Sequence, residues 1–136
     1  MVRWLLIPLL AAAPALAGDL LLKVSKVKDS TGQVSVLLFA TEDGFPGEAG
    51  KAAYQGRVNA RKGMTELVLH DVKPGRYAVS VIHDSNSNAL LDRNLIGIPT
   101  EGAGTSNGTQ RGKPVYHKAV VNVSEGGSVS VDLNYW

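Results

Sequence analysis

Asp71-Val-Lys-Pro-Gly-Arg-Tyr-Ala-Val-Ser-Val-Ile-His83 reads as a turn followed by a strand. Pro74 presets its backbone for a turn and Gly75 is free to take positive φ. From Arg76 onward, Tyr77, Val79 and Val81 fall on one side and Ala78, Ser80 and Ile82 on the other, because side chains alternate along a strand. A strand this apolar on both faces belongs in the middle of a sheet.

Working back from it, Met64–Leu69 alternates, and Gln55–Arg61 is a modest strand with Val58 inward. Thr41–Gly50 carries Gly44, Pro46, Gly47 and Gly50 and is a loop, with a short helical turn expected around Glu48–Tyr54. Gln33–Phe39 and Leu20–Val27 are two further strands joined by Asp29-Ser-Thr-Gly32, which reads as a hairpin. Working forward, Lys118–Val123 and Ser128–Leu133 form an expected terminal hairpin around Ser124-Glu-Gly-Gly127. Turn signals recur between short strands, without a sustained helical period. That predicts an all-β fold, an immunoglobulin-like antiparallel β-sandwich of about seven strands with one long structured loop.

The chain begins MVRWLLIPLLAAAPALA, with one charge at Arg3, an apolar run from Trp4 to Ala17 and the small-x-small triplet Ala15-Leu16-Ala17. This is the pattern of a secretory signal peptide cleaved after Ala17. The run of 14 residues, interrupted by Pro8 and Pro14, is short of the roughly 20 that a spanning helix needs. Residues 1–17 are therefore expected to be removed and residues 18–136 to form one domain, periplasmic or secreted, with no stable membrane insertion after cleavage. The formal charge of +2 gives no electrostatic case for nucleic acid. The absence of cysteine excludes a disulfide scaffold, a thiol nucleophile and a cysteine metal site. The last residues, Asn134-Tyr-Trp136, resemble the closing strand of a membrane barrel, but most strands are too short and aromatics, at 6%, too few for its girdles.

The longest polar connection, from Ile82 to Gly108, reads IHDSNSNALLDRNLIGIPTEGAGTSNG. Asp84, Asn86, Asn88 and Asp92 fall at positions one, three, five and nine of a calcium-loop spacing, with the Leu90 carbonyl at position seven. Ala89 stands where that loop needs glycine, and Leu95 where it needs a bidentate glutamate. Glu101 can supply the missing carboxylate if the chain folds back at Gly97-Ile-Pro99. The metal-site candidates are thus Asp84, Asn86, Asn88, Leu90, Asp92 and Glu101, with calcium the candidate ion, bound at ~10⁻⁴–10⁻³ M. The competing reading is a network of Asx turns built by the same residues.

Catalytic chemistry has fewer indications. His83 beside Asp84, with Glu101, Ser106 and His117, offers a base and a nucleophile for a hydrolase. There is no nucleophile-elbow pattern and no pair of histidines at metal-ligand spacing. The reading is non-catalytic. Three classes stay open: a binding module using residues 83–108, a hydrolase using His83, Glu101 and Ser106, and an envelope or assembly component pairing through its C-terminal strand. An extracellular or envelope protein is the kind of partner expected.

The run Pro74-Gly-Arg-Tyr-Ala-Val-Ser-Val-Ile-His-Asp84, with Asn86, Asn88, Leu91-Asp92, Gly97-Ile-Pro-Thr-Glu101-Gly and Ser106-Asn107, resembles a family of exported bacterial proteins. It is the domain of unknown function numbered 2141. Val36-Leu-Leu-Phe39, Asp43-Gly-Phe45 and Gly112-Lys-Pro114 carry the likeness across most of the mature chain. The resemblance implies a secreted or periplasmic sandwich similar to transthyretin-like and carboxypeptidase-regulatory-like modules, with no established activity. The sequence departs at Asn88-Ala89, where the family's loop reads Asn-Gly. Alanine takes positive φ poorly, which works against both a tight turn and the calcium loop.

Overall fold

The computed structural model describes residues 17–86, 101–108 and 113–135. Eight strands lie among them: β1 (Gly18–Val27), β2 (Gln33–Phe39), β3 (Tyr54–Asn59), β4 (Gly63–Val72), β5 (Gly75–Asp84), β6 (Ala103–Thr105), β7 (Val120–Val123) and β8 (Ser128–Asp132). One helical turn, α1 (Tyr116–Ala119), precedes β7. One sheet has the order β4-β1-β8; the other runs β3-β2-β5-β6, with β7 also paired to β5. The pairings are antiparallel except β1 with β8, which is parallel. The expected sandwich is present.

Its core is the meeting of the strands' apolar stripes. Leu20, Leu22, Val24 and Val27 of β1, with Val129 and Val131 of β8, face Val34, Val36 and Leu38 of β2 and Val79 and Val81 of β5. In β1 the apolar residues fall out of alternation after Val24. A register shift between Val24 and Val27, with Lys26 at φ 65°, inserts the extra residue and returns Val27 to the core, as a bulge does.

Both expected hairpins are corrected. β1 and β2 lie in different sheets, as do β7 and β8. Asp29–Gly32 and Ser124–Gly127 are arches over the core's two ends. The stripes of β1 and β2 are each complete, and facing each other across the core buries both at once. Turn residues alone do not distinguish an arch from a hairpin. One boundary also differs, since α1 takes up the start of the expected strand at Lys118, while the helical turn expected around Glu48–Tyr54 is present as a 3-10 turn at Ala49–Lys51.

β5 is central, as its two-sided apolar pattern requires, and seven of its residues from Tyr77 to Asp84 are buried. β2 covers one of its edges. The other edge is shared, with β7 pairing Gly75–Ala78 and β6 pairing Ser80–Ile82. This split edge positions the site.

Candidate functional site

β5 ends at Asp84, where the long connection begins, and Glu101 leads into β6. The β5–β6 register pairs Ile82 with Ala103, and His83 N–H donates to the Gly102 carbonyl at 2.8 Å. Continued one step, that register sets Asp84 opposite Glu101. Both acids are buried, Asp84 at 0% and Glu101 at 5% exposure.

Each has a protein partner. Arg57 on β3 and Ile82 on β5 both pair with Ser35 of β2, so they share the sheet's outer face with Asp84, two residues beyond Ile82. Arg57 Nη2 reaches Asp84 Oδ2 at 3.0 Å. Glu101 Oε2 accepts from Ser85 N–H at 2.8 Å and from Ser85 Oγ at 2.9 Å, closing the mouth of the connection.

His83 points to the other face, into the end of the core, and is 2% exposed. Its Nε2 lies 2.7 Å from the Thr31 carbonyl and its Nδ1 2.7 Å from the Tyr135 hydroxyl. A carbonyl only accepts, so Nε2 is the donor, and in the neutral ring Nδ1 accepts from Tyr135. The Tyr135 oxygen accepts in turn from Lys28 N–H at 2.9 Å. Gly32, at φ +66°, makes this approach possible, since a Cβ there would come within 2.2 Å of the Asp84 carbonyl oxygen.

Asp29 Oδ1 lies 3.7 Å from His83 Nε2. It also accepts from Thr31 Oγ1 at 2.6 Å and Thr31 N–H at 3.0 Å. The Thr31 hydroxyl bond, followed by the backbone bond, holds the Asp29 carboxyl below its usual value. Burial raises the Tyr135 hydroxyl. Lys28, Asp29, His83, Ser85, Glu101 and Tyr135 line a half-open polar cavity of about 80 Å³.

Ser106 lies elsewhere, in the gap of the split edge. Its N–H donates to the Val79 carbonyl at 3.0 Å, and its Oγ accepts from Val79 N–H at 2.9 Å and donates to the Ala119 carbonyl. It satisfies the one β5 residue that falls between β6 and β7. Asn107, at φ 57°, continues the seam by donating from Nδ2 to the Lys118 and Val120 carbonyls. Val79 is four residues from His83, ~13 Å along a strand, so the hydrolase set of His83, Glu101 and Ser106 is not brought together. His117 is exposed beside Tyr116. His70 lies at the surface with Asp19.

Of the calcium-loop candidates, Asp84 and Glu101 meet at the mouth and Asn86 is exposed next to it. Asn88, Leu90 and Asp92 lie outside the described residues. Among the described residues no group of three or more His, Asp or Glu side chains is arranged to hold a metal ion. Sequence reasoning missed Arg57, Thr31 and Tyr135. Arg57 carried a signal, as a charged residue out of step with the inward Val58.

A family model described as an uncharacterised protein conserved in bacteria, DUF2141, matches residues 22–132. The chain belongs to that family. No curated protein and no solved structure matches it. The DUF2141 match runs from within β1 to the end of β8. It therefore contains all of the sandwich's strands except the first four residues of β1, together with the mouth residues His83, Asp84 and Glu101 and the Ser106–Asn107 seam, and it stops short of Tyr135.

Proposed function

We propose that this DUF2141 chain is an exported, non-catalytic sandwich that uses residues 83–108 as a ligand- or partner-contact surface. The carrying observation is the employment of its polar side chains. His83 bonds Thr31 and Tyr135, and Ser106 bonds Val79 and Ala119. A base and a nucleophile so engaged are holding backbone together, and the connection they anchor is left to make contacts, as long loops on rigid scaffolds do.

Two measurements test this. The mature chain should hydrolyse p-nitrophenyl acetate no faster than the Ser106→Ala variant; saturable turnover lost in that variant would establish the hydrolase instead. A photo-crosslinking residue at Asn86, exposed at the mouth, should capture an envelope partner that the same residue at Met64, 47% exposed on β4, does not. Equal yields from both positions would remove the contact role.

A calcium-binding role for Asp84, Asn86, Asn88, Leu90, Asp92 and Glu101 is the second reading. It is favoured by the register that sets Asp84 opposite Glu101. The Arg57 and Ser85 bonds favour a mouth closed by the protein itself.

A further inference from the structure

Tyr135 forms one wall of the polar cavity. Leu133 N–H donates to the Ser25 carbonyl at 3.0 Å, and Ala103 and Asn134 exchange both backbone hydrogen bonds, at 3.0 and 2.9 Å. One residue on, the Tyr135 hydroxyl reaches Lys28 N–H at 2.9 Å and His83 Nδ1 at 2.7 Å. Its ring lies against Gly102, where a Cβ would come within 2.5 Å of the ring.

The other walls differ in how they are held. His83 is part of β5, in the middle of a sheet, and Asp29 and Lys28 belong to an arch tied at both ends. Asn134 and Tyr135 lie beyond the end of β8, joined to β6 by an isolated bridge and not by a ladder. Segments held by few backbone bonds open at lower free energy than sheet interiors. Tyr135 and Asn134 also bond different partners, so the tail ties the Lys28 arch to the loop mouth at Gly102–Ala103.

We propose that Asn134 and Tyr135 form a strap that opens as a unit while the sandwich stays folded, and so widens the half-open cavity lined by His83, Asp29 and Glu101. With the strap in place, the half-open cavity of about 80 Å³ has room for water. Opening removes the phenol from that space, uncovers the His83 ring and frees the Ala103 edge of β6. No ligand is needed to observe the opening. Failure of the strap therefore leaves the contact role of residues 83–108 standing, and the reverse also holds.

Backbone hydrogen exchange of the secreted chain tests it. The amides of Lys28, Ala103 and Asn134 should exchange through one opening that is insensitive to low denaturant, at least ~100-fold faster than the β2–β5 ladder. Gly102→Ala, which pushes on the Tyr135 ring, should speed all three by about tenfold and leave the ladder unchanged. Ala103 and Asn134 bond each other and not Tyr135, so their response reports concerted motion. Exchange of the three amides only together with the ladder would overturn the strap, as would a Gly102→Ala effect confined to Lys28. Should Gly102→Ala not fold, the denaturant dependence of the unmodified chain decides alone.

Discussion

At the scale of single residues, polar side chains in this protein mend gaps in the backbone hydrogen-bond pattern. Ser106 is the clearest case, because Val79 falls between two short strands and would otherwise lack a ladder partner. Ser106→Ala leaves Val79 N–H and the Ala119 carbonyl without that hydroxyl in a buried setting, which costs about 1–3 kcal/mol. Urea unfolding should show a lower midpoint at unchanged slope. Asp29 gives a pH-dependent counterpart. Its folded pKa is depressed below the ordinary aspartate value of 3.8, first by the Thr31 hydroxyl. Its contribution to stability is therefore present above the unfolded value and lost as pH falls through the lower folded value. Carboxyl titration by NMR should place Asp29 below 3.8, and Thr31→Val should move it back up. An unmoved midpoint in that variant would assign the depression to another group.

At the scale of elements, β5 and β2 were legible because runs of valine, leucine and aromatic residues bounded by turn residues favour strands. β6 was not. Ala103-Gly-Thr105 has no apolar alternation, and it becomes a strand only because β5 has an open edge at Ser80–Ile82. The two arches failed for a different reason: whether a strand pairs with its sequence neighbour or faces it across the core depends on the whole sandwich. The mouth of the long connection was half legible. The spacing of Asp84, Asn86 and Asp92 and the need for Glu101 to fold back were visible, and Glu101 does return opposite Asp84. The cation beside Asp84 was not foreseen, since Arg57 comes from a strand 27 residues earlier. That cation decides the calcium prediction. With Asp84 paired to Arg57 and Glu101 accepting from Ser85, the thermal midpoint should stay flat through millimolar calcium. A midpoint that rises as calcium passes ~10⁻³ M, and does so no longer in Asp92→Ala, would restore the ion.

At the scale of the whole molecule, the first and last strands are partners. β1 lies between β4 and β8, and its parallel pairing with β8 brings the first and last strands of the sandwich into one sheet. The start of β1 is therefore a structural position, and it is also where processing is expected. β1 begins at Gly18, the residue after the expected cut, and Gly18 pairs with Val72 of β4. A Cβ at Gly18 would come within 2.5 Å of the Glu125 side chain and 3.3 Å of the Gly126 nitrogen. The arch between β7 and β8 thus packs directly over the point where the leader would be attached. Cleavage after Ala17 leaves β1 whole, whereas cleavage a few residues later would remove Leu20, one of its buried core residues. Secretion of the full chain from a bacterial host should yield a product whose intact mass begins at Gly18. A product beginning inside β1 would have lost core, and should show a lower unfolding midpoint than the chain from Gly18. A product that retains Arg3 and stays with the membrane fraction would make residues 1–17 an anchor and overturn the signal-peptide reading.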